Sequence, residues 1–247
     1  MADIYKLWEG KEMLKKHGKI RPWRQRFRSE RYFLEKIMKP GMSVFDVGCA
    51  GGDLYHGLKK KYKKIKYTGV DGSGALIAKA KARAPEAEFI LSNIFNLKKE
   101  FKNRKFDLVT ATGVFQHEPK HKELLKFMVD HTKEGGYILF DVKFFHSHPK
   151  LCDIKISYCD FPDPVYFIVL NLKDLTGIIL ANKNIADSIS AYGYYSGVHS
   201  SVRLPKSVKE EVCSAHVLLR RGKKNEDRLL NFNLILPDVF IKGLFQK

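Results

Sequence analysis

The feature that most constrains this chain is the run Val44-Phe45-Asp46-Val47-Gly48-Cys49-Ala50-Gly51-Gly52-Asp53. An apolar stretch leads straight into a glycine-rich turn, and a helical pattern begins at Leu54. A parallel strand feeding a helix N-terminus in this way turns backbone N–H groups toward a ligand. The spacing excludes one common use of that geometry. A dinucleotide fingerprint needs glycine-like residues at the offsets G-x-G-x-x-G. Those offsets fall here on Gly48, Ala50 and Asp53, and an acid at the third would repel a pyrophosphate. The frame that fits is Asp46-x-Gly48-x-Ala50-x-Gly52, with a carboxylate two residues before the first glycine.

A second strand reads from Tyr67 to Val70 and ends on Asp71, which is followed by Gly72 and Ser73. A carboxylate at such a strand end can accept both hydroxyls of a ribose. Ser73 is a suitable N-cap for a helix through Leu76, Ile77 and Ala80. Pro85 disfavours helical geometry in the residue before it and so ends that helix at Ala84.

Together these two motifs resemble motif I and the following acid of the class I S-adenosylmethionine-dependent methyltransferases. The resemblance covers about residues 41–145 by motif and the rest by order of elements. It implies an α/β fold: a doubly wound, mostly parallel seven-stranded sheet, with S-adenosylmethionine as cofactor. It further implies that Asp46, Gly48, Cys49, Ala50 and Gly51 hold the methionine end of the cofactor, and that Asp71, Gly72 and Ser73 hold the ribose side. A third strand is expected at Glu88–Leu91, followed by Ser92, Asn93 and Ile94. In the family an acid often takes the adenine amino group there. This chain has Asn93, whose amide oxygen can still accept that bond, and the N–H of Ile94 follows it.

The fourth strand begins at Phe106 and runs through Gly113 and Val114 into Phe115-Gln116-His117-Glu118-Pro119. A helix from about Lys120 is expected to end at Gly135-Gly136, with a fifth strand at Tyr137–Phe145. Ligands of open α/β sheets sit outside the carboxyl ends of the strands. Those ends are Gly48, Asp71, Asn93, Gly113–His117 and Lys143–His146, so the polar signals converge on one rim. Gly113 and Gln116 are assigned to the cofactor by this placement. His117 is the candidate catalytic base, since a hydroxyl acceptor must lose a proton and histidine titrates near neutrality. A histidine there can equally brace the loop.

The C-terminal hundred residues are expected to bind the acceptor. Candidate contacts are Lys143, His146 and His148 after strand five, and Tyr194 and Tyr195 within a strand at Ile185–Gly197. A capped helix reads at Asn171–Asn182 and a last strand at Val212–Gly222. The segment 146–170, with Pro149, Pro162 and Pro164, is expected to cap the acceptor. The Tyr-Gly-Tyr-Tyr segment and the Leu204-Pro205 turn resemble enzymes that decorate sugars or surface glycans. With neither repeat nor low-complexity linker, the chain reads as one domain: a helical lid at 1–40, a cofactor half at 41–145 and a substrate half at 146–247.

Charge decides the acceptor class. There are 45 basic residues against 27 acidic, a net +18, and the excess is clustered. Lys11 to Arg31 holds nine Lys or Arg against two acids; Lys59 to Lys66 holds six lysines in eight residues. Such runs favour an anionic partner. The first run interleaves Trp23, Phe27, Tyr32 and Phe33, which predicts an amphipathic helix ahead of Pro40. Related enzymes fold such a leader over the cofactor, which implicates Trp23 and Arg24. The second run reads as a solvated helix face.

Cys49, Cys152, Cys159 and Cys213 show no C-x-x-C pairing, so neither a zinc site nor a disulfide framework is suggested, and no metal is expected. A reduced, cytoplasmic location is the expectation, the first ten residues lacking an apolar signal core and no run being long enough to span a bilayer. The expected activity is methyl transfer to a hydroxyl, or to an amine as the lesser option, on an anionic small molecule such as a nucleotide- or phosphate-linked sugar or glycan. RNA is the alternative acceptor, although no Asn/Asp-Pro-Pro-Tyr follows strand four and no RNA-binding appendage is visible. A cofactor-binding scaffold without catalysis is the third reading.

Overall fold

The computed structural model describes residues 10–97, 101, 103–152, 166–181, 187–195, 204, 206–222 and 231–245. Its strands are β1 (Ser43–Val47), β2 (Lys66–Asp71), β3 (Glu88–Leu91), β4 (Phe106–Ala111), β5 (Thr132–Phe145), β6 (Leu151–Cys152), β7 (Ile168–Asn171), β8 (Ser188–Tyr195), β9 (Cys213–Arg220) and β10 (Asn231–Ile235). Its helices are α1 (Lys11–His17), α2 (Arg28–Ile37), α3 (Asp53–Lys61), α4 (Gly74–Arg83), α5 (His121–Asp130), α6 (Leu172–Leu180) and α7 (Asp238–Phe245).

The sheet runs β10-β8-β9-β5-β4-β1-β2-β3. Along that path β9 is antiparallel to both neighbours, and the remaining pairings are parallel. The seven strands from β8 to β3 are the expected doubly wound core, with the order reversing at β1 and β4. Two additions stand outside it. β10 extends the edge beside β8, and together with α7 it supplies the structure of a tail that carries no readable motif. β7 pairs with the end of β5 and with β6, within the segment that follows strand five. Residues 153–165 of that segment lie outside the described residues, as do Asn182, 185–186, 196–197 and Pro205 among the residues expected in other elements.

The apolar runs fold as strands because both sheet faces are covered. On one face Phe45, Val109 and Phe140 pack with α5 and α6. On the other Val44, Leu108 and Leu139 pack under α2, α3 and α4. Val44, Phe45, Leu108 and Val109 have no exposed surface; each contributes about 1.5–3 kcal/mol by burial.

Two expectations are corrected. The basic leader is not one helix. α1 stops at His17, and Gly18 follows where a Cβ would lie 2.4 Å from the Leu14 carbonyl. Pro22 then opens a single 3-10 turn, Trp23–Gln25, before α2 begins. α2 does carry the expected apolar face, with Ser29, Glu30, Phe33, Leu34 and Ile37 buried at helical spacing. Second, Gly135-Gly136 do not cap α5, which ends at Asp130; they lie inside β5. Gly135 has φ +75°, its N–H donates to the Arg221 carbonyl at 2.7 Å, and the β4–β5 register shifts beside it. A Cβ on Gly136 would meet the Asp107 carbonyl at 3.0 Å, so the pair serves a bulge with close backbone approach. Among the described residues no helix is long and apolar enough to cross a membrane.

Candidate active site

The turn after β1 is built by backbone conformations that side chains resist. Gly48 has φ +71° and Gly52 +79°, while Ala50 adopts +47°, a left-handed geometry costing a non-glycine residue about 1–2 kcal/mol. The turn is held by β2. Gly48 and Cys49 both donate to the Val70 carbonyl, at 2.8 and 3.1 Å. Asp71 accepts from the Ala50 N–H at 2.9 Å through Oδ2 and from the Ser73 N–H at 2.8 Å through Oδ1. Ser73 caps α4 as expected. Asp71 thus clamps the glycine turn to the next helix while lining the cavity.

The cavity outside the strand ends has two connected chambers. The first, about 160 Å3, is walled by Val47, Val70, Leu76, Ile94 and Val114, with Asp71, Gly72 and Ser73 at its edge. The second, about 360 Å3, is polar and walled by β1, β5, β9 and the basic leader. Gly48, Ala50, Thr112, Gly113, His17 and His117 line both.

The leader is pinned at the start of α3. The Asp53 carboxylate accepts from the Arg21 N–H at 2.7 Å and from Arg21 Nε at 2.9 Å, and pairs with Arg26 Nη2 at 2.8 Å. Arg26 also pairs with Glu30 at 2.9 Å, both almost fully buried. Gly51 donates to the His17 carbonyl at 3.4 Å. The residue that spoils the dinucleotide frame is therefore the anchor of the cover.

Electrostatics follow from burial. Asp46 is pushed up to about 7, chiefly by loss of solvent, against the hydrogen bond it accepts from the Tyr67 hydroxyl. Asp71 is raised by burial, opposed by the N–H groups of Ser73 and Ala50. Burial lowers His117 to about 4, opposed by the Tyr166 carbonyl, which lies 3.0 Å from Nδ1. A carbonyl only accepts, so that nitrogen carries the proton of the neutral ring and Nε2 carries the lone pair. Lys143 is lowered by burial, and its Nζ donates to Ser214 at 2.6 Å.

The geometry sorts the sequence candidates. Asp46, Gly48, Cys49, Ala50, Gly113, Gln116, His117 and Lys143 come together in the second chamber; Asp71, Gly72, Ser73 and Ile94 line the first. Gly51 lies beneath α1, against His17 and Gly18, instead of lining either chamber. Trp23 and Arg24 are not a lid over this cavity. The Trp23 ring lies against Gly57 of α3 and under Lys61, its Nε1 donating to Glu35 at 2.7 Å, and Arg24 is exposed. Asn93 spends its amide oxygen capping a 3-10 turn, on the Phe95 N–H at 2.9 Å, and its neighbours Ser92 and Ile94 reach the cavity instead. His146 and His148 are turned away, their N–H groups donating to Glu210 and the His146 ring lying against Phe240. Tyr195 packs on Phe240 and is half-exposed, while Tyr194 lines neither chamber.

Four contributors escaped the sequence reading. His17 and Arg21 were hidden in the run read as one amphipathic leader helix, where Trp23 and Arg24 drew the assignment. Asp141 and His216 were hidden in apolar strands, where period-2 alternation alone could have singled them out.

Residues 38–153 match a family described as a methyltransferase domain. A trans-aconitate 2-methyltransferase of Deinococcus radiodurans is 30% identical over 111 residues, 44% of this chain and 41% of that protein. One of Escherichia coli is 33% identical over 95 residues, 38% of this chain and 36% of that protein. The matched stretch thus spans about two-fifths of these relatives. Among solved structures, phosphoethanolamine N-methyltransferase 2 of Haemonchus contortus, with phosphomonomethylethanolamine and S-adenosylhomocysteine, superposes with a TM-score of 0.64 at 15% identity, over 90% of this chain and 61% of that one. Coclaurine N-methyltransferase superposes with a TM-score of 0.55 at 15% identity, over 77% and 71%.

Proposed function

We propose that this chain, which carries a class I S-adenosylmethionine-dependent methyltransferase domain at residues 38–153, moves a methyl group to an oxygen of a small anionic molecule. The observation that carries the reading is the two-chambered cavity: an apolar slot edged by a carboxylate shares its glycine turn with a polar chamber lined by five Lys or Arg and four carboxylates. The residues fit the cofactor's three chemistries. Val47, Val70, Leu76, Ile94 and Val114 suit an adenine ring, and Asp71 suits a ribose diol. The Asp46 carboxylate beside the turn suits the ammonium of a zwitterionic amino acid. Gln116 Oε1, buried without a hydrogen-bond partner among the described residues, adds a further acceptor. When bound, S-adenosylmethionine supplies the electrophilic methyl.

The chain's own residues then align and deprotonate. Methyl transfer is an in-line displacement, so fixing the nucleophile supplies much of the rate. For a hydroxyl acceptor, such as that of a phosphate- or nucleotide-linked sugar, His117 accepts the proton at Nε2 while Nδ1 stays tied to the Tyr166 carbonyl. A second reading is favoured by the same residue. Burial that holds His117 near 4 makes it a weak base. A carboxylate oxygen arrives already ionised, needs only cationic docking, and is the kind of group that trans-aconitate offers the two curated relatives. Lys16, Lys19 and Lys143 on the chamber lining support either anion, Arg21 and Arg26 being paired with Asp53 and Glu30.

RNA is less favoured as acceptor. Within the 59–66 run, Lys59 pairs with Glu86 and Lys61 with Glu35, so the patch is partly neutralised. The test is transfer from methyl-labelled S-adenosylmethionine to polycarboxylates, sugar phosphates, nucleotide sugars and RNA. Label on an anionic small molecule is expected; label on RNA alone overturns the reading. His117→Ala separates the two oxygens. Turnover falls about 10²–10⁴-fold if a hydroxyl is methylated and changes little if a carboxylate is.

A further inference from the structure

The far wall of the polar chamber is one face of β5 and β9. In their antiparallel register Asp141 stands opposite His216 and Lys143 opposite Ser214. Residues two apart in a strand share a face, and directly opposed residues are neighbours. The four therefore form one patch, and Tyr192 and Tyr194 of β8 extend it by pairing with His216 and Ser214.

His216 is the unusual member. It is 3% exposed and lines the chamber, yet its Nε2 is buried without a hydrogen-bond partner among the described residues. Its other nitrogen is occupied: Nδ1 lies 2.8 Å from the Ser29 hydroxyl. Ser29 has one proton to give. When that proton goes to Nδ1, the ring nitrogen there is an acceptor. The neutral imidazole then carries its proton on Nε2, as a donor facing the chamber. A buried donor left unpaired costs the desolvation of that group, which calls for an explanation in a folded protein; a ligand atom is the natural one.

The charges around it indicate which atom. Asp141 is committed to the Gly113 N–H at 2.6 Å, and Glu30 to Arg26. Lys143 stands one position along the same face, with Lys19 and Lys16 across the chamber.

We propose that His216, its Nδ1 accepting from Ser29, donates from Nε2 to an anionic oxygen group of the methyl acceptor. That group is a carboxylate or phosphate other than the oxygen that is methylated, with Lys143 beside it as counter-charge. The proposal rests on the methyltransferase reading and names the recognition site within it. His216 binds and positions the acceptor, while the chemistry occurs nearer His117.

The experiment titrates the protein, saturated with S-adenosylhomocysteine, with citrate and separately with inorganic phosphate. At least one anion is expected to bind, and the tighter one identifies the source. His216→Phe, which keeps the ring packing and removes both nitrogens, is expected to weaken that anion about tenfold or more, the loss of one hydrogen bond to a charged group. Its affinity for S-adenosylhomocysteine should stay within about twofold of the parent's, which also reports that the variant is folded. Neither anion binding to the saturated parent overturns the proposal, as does an unchanged anion affinity in His216→Phe. A parent that takes up no S-adenosylhomocysteine fails the functional reading itself, a separate result. Should His216→Phe not fold, the Nε2 resonance of His216 in the parent decides: a shift on adding the anion is expected, and a static signal overturns the assignment.

Discussion

Gly48→Ala tests the turn on which the cavity depends, and its cost divides into two parts. Gly48 sits at φ +71°, where an L-residue pays about 1–2 kcal/mol. A Cβ built there lies 2.2 Å from Val114 Cγ2. Val114 is β-branched and stiff about χ1, so relieving that overlap costs about 1–3 kcal/mol, the usual range for overpacking. The sum is about 2–5 kcal/mol. Val114→Ala removes the clashing carbon and leaves the backbone strain. The double variant should therefore recover the overpacking part and keep a deficit of about 1–2 kcal/mol relative to Val114→Ala alone. Urea denaturation of the four proteins, read by circular dichroism at constant slope, closes the cycle. Because Val114 also walls the apolar chamber, Gly48→Ala should bind S-adenosylhomocysteine more weakly than the double variant. The reasoning is refuted if Gly48→Ala is as stable as the parent, or if the two substitutions add to within about 0.5 kcal/mol.

Asp46→Asn should raise stability while lowering cofactor affinity. The folded value near 7 lies above the ordinary 3.8, so ionising Asp46 costs stability as pH rises from about 4 to about 7. The amide escapes that cost, gaining about 1–3 kcal/mol at pH 8; a less stable variant there would contradict the assignment. His117 has the opposite sign. Its folded value, about 4, lies below 6.5, so the unfolded chain binds the extra proton between those limits and stability is lost as pH falls through them. His117→Gln should flatten the stability–pH curve over that window by about one proton, and an unaltered slope argues against a buried neutral ring. Arg26→Ala strands Glu30 in a buried site and weakens the hold on Asp53, at about 3–5 kcal/mol. Thermal melting should register this loss, and a melting temperature equal to the parent's would mean the ion pairs do not pin the leader.

The sheet was legible where local chemistry and global position agree. Val44 to Gly52, the acid at 71 and the cap at Ser73 each announce a strand end or a helix start by residues that have few other uses there. The leader was harder to read because Gly18 and Pro22 punctuate a pattern whose apolar residues still recur at helical spacing. Gly135-Gly136 misled for a related reason: a glycine pair after a helix reads as a cap, whereas here it admits the close backbone approach of a bulge. On the cavity, residues of the turn and of the β4 exit were recoverable because they are contiguous. His216 was not, since its partner Ser29 comes from α2, and only the β5–β9 register brings it opposite Asp141. His146 and His148 show the converse, being close in sequence to the strand end but directed to Glu210.

The central claim is that the turn at Gly48–Gly52 and the carboxylate of Asp71 hold one sulfonium nucleoside between them. Isothermal calorimetry with S-adenosylhomocysteine tests it most directly. The account predicts one-to-one binding by the parent chain and a loss of about 3 kcal/mol or more in Asp71→Ala, the worth of two hydrogen bonds to a charged group. No binding heat with the parent, or equal affinity in Asp71→Ala, would contradict it.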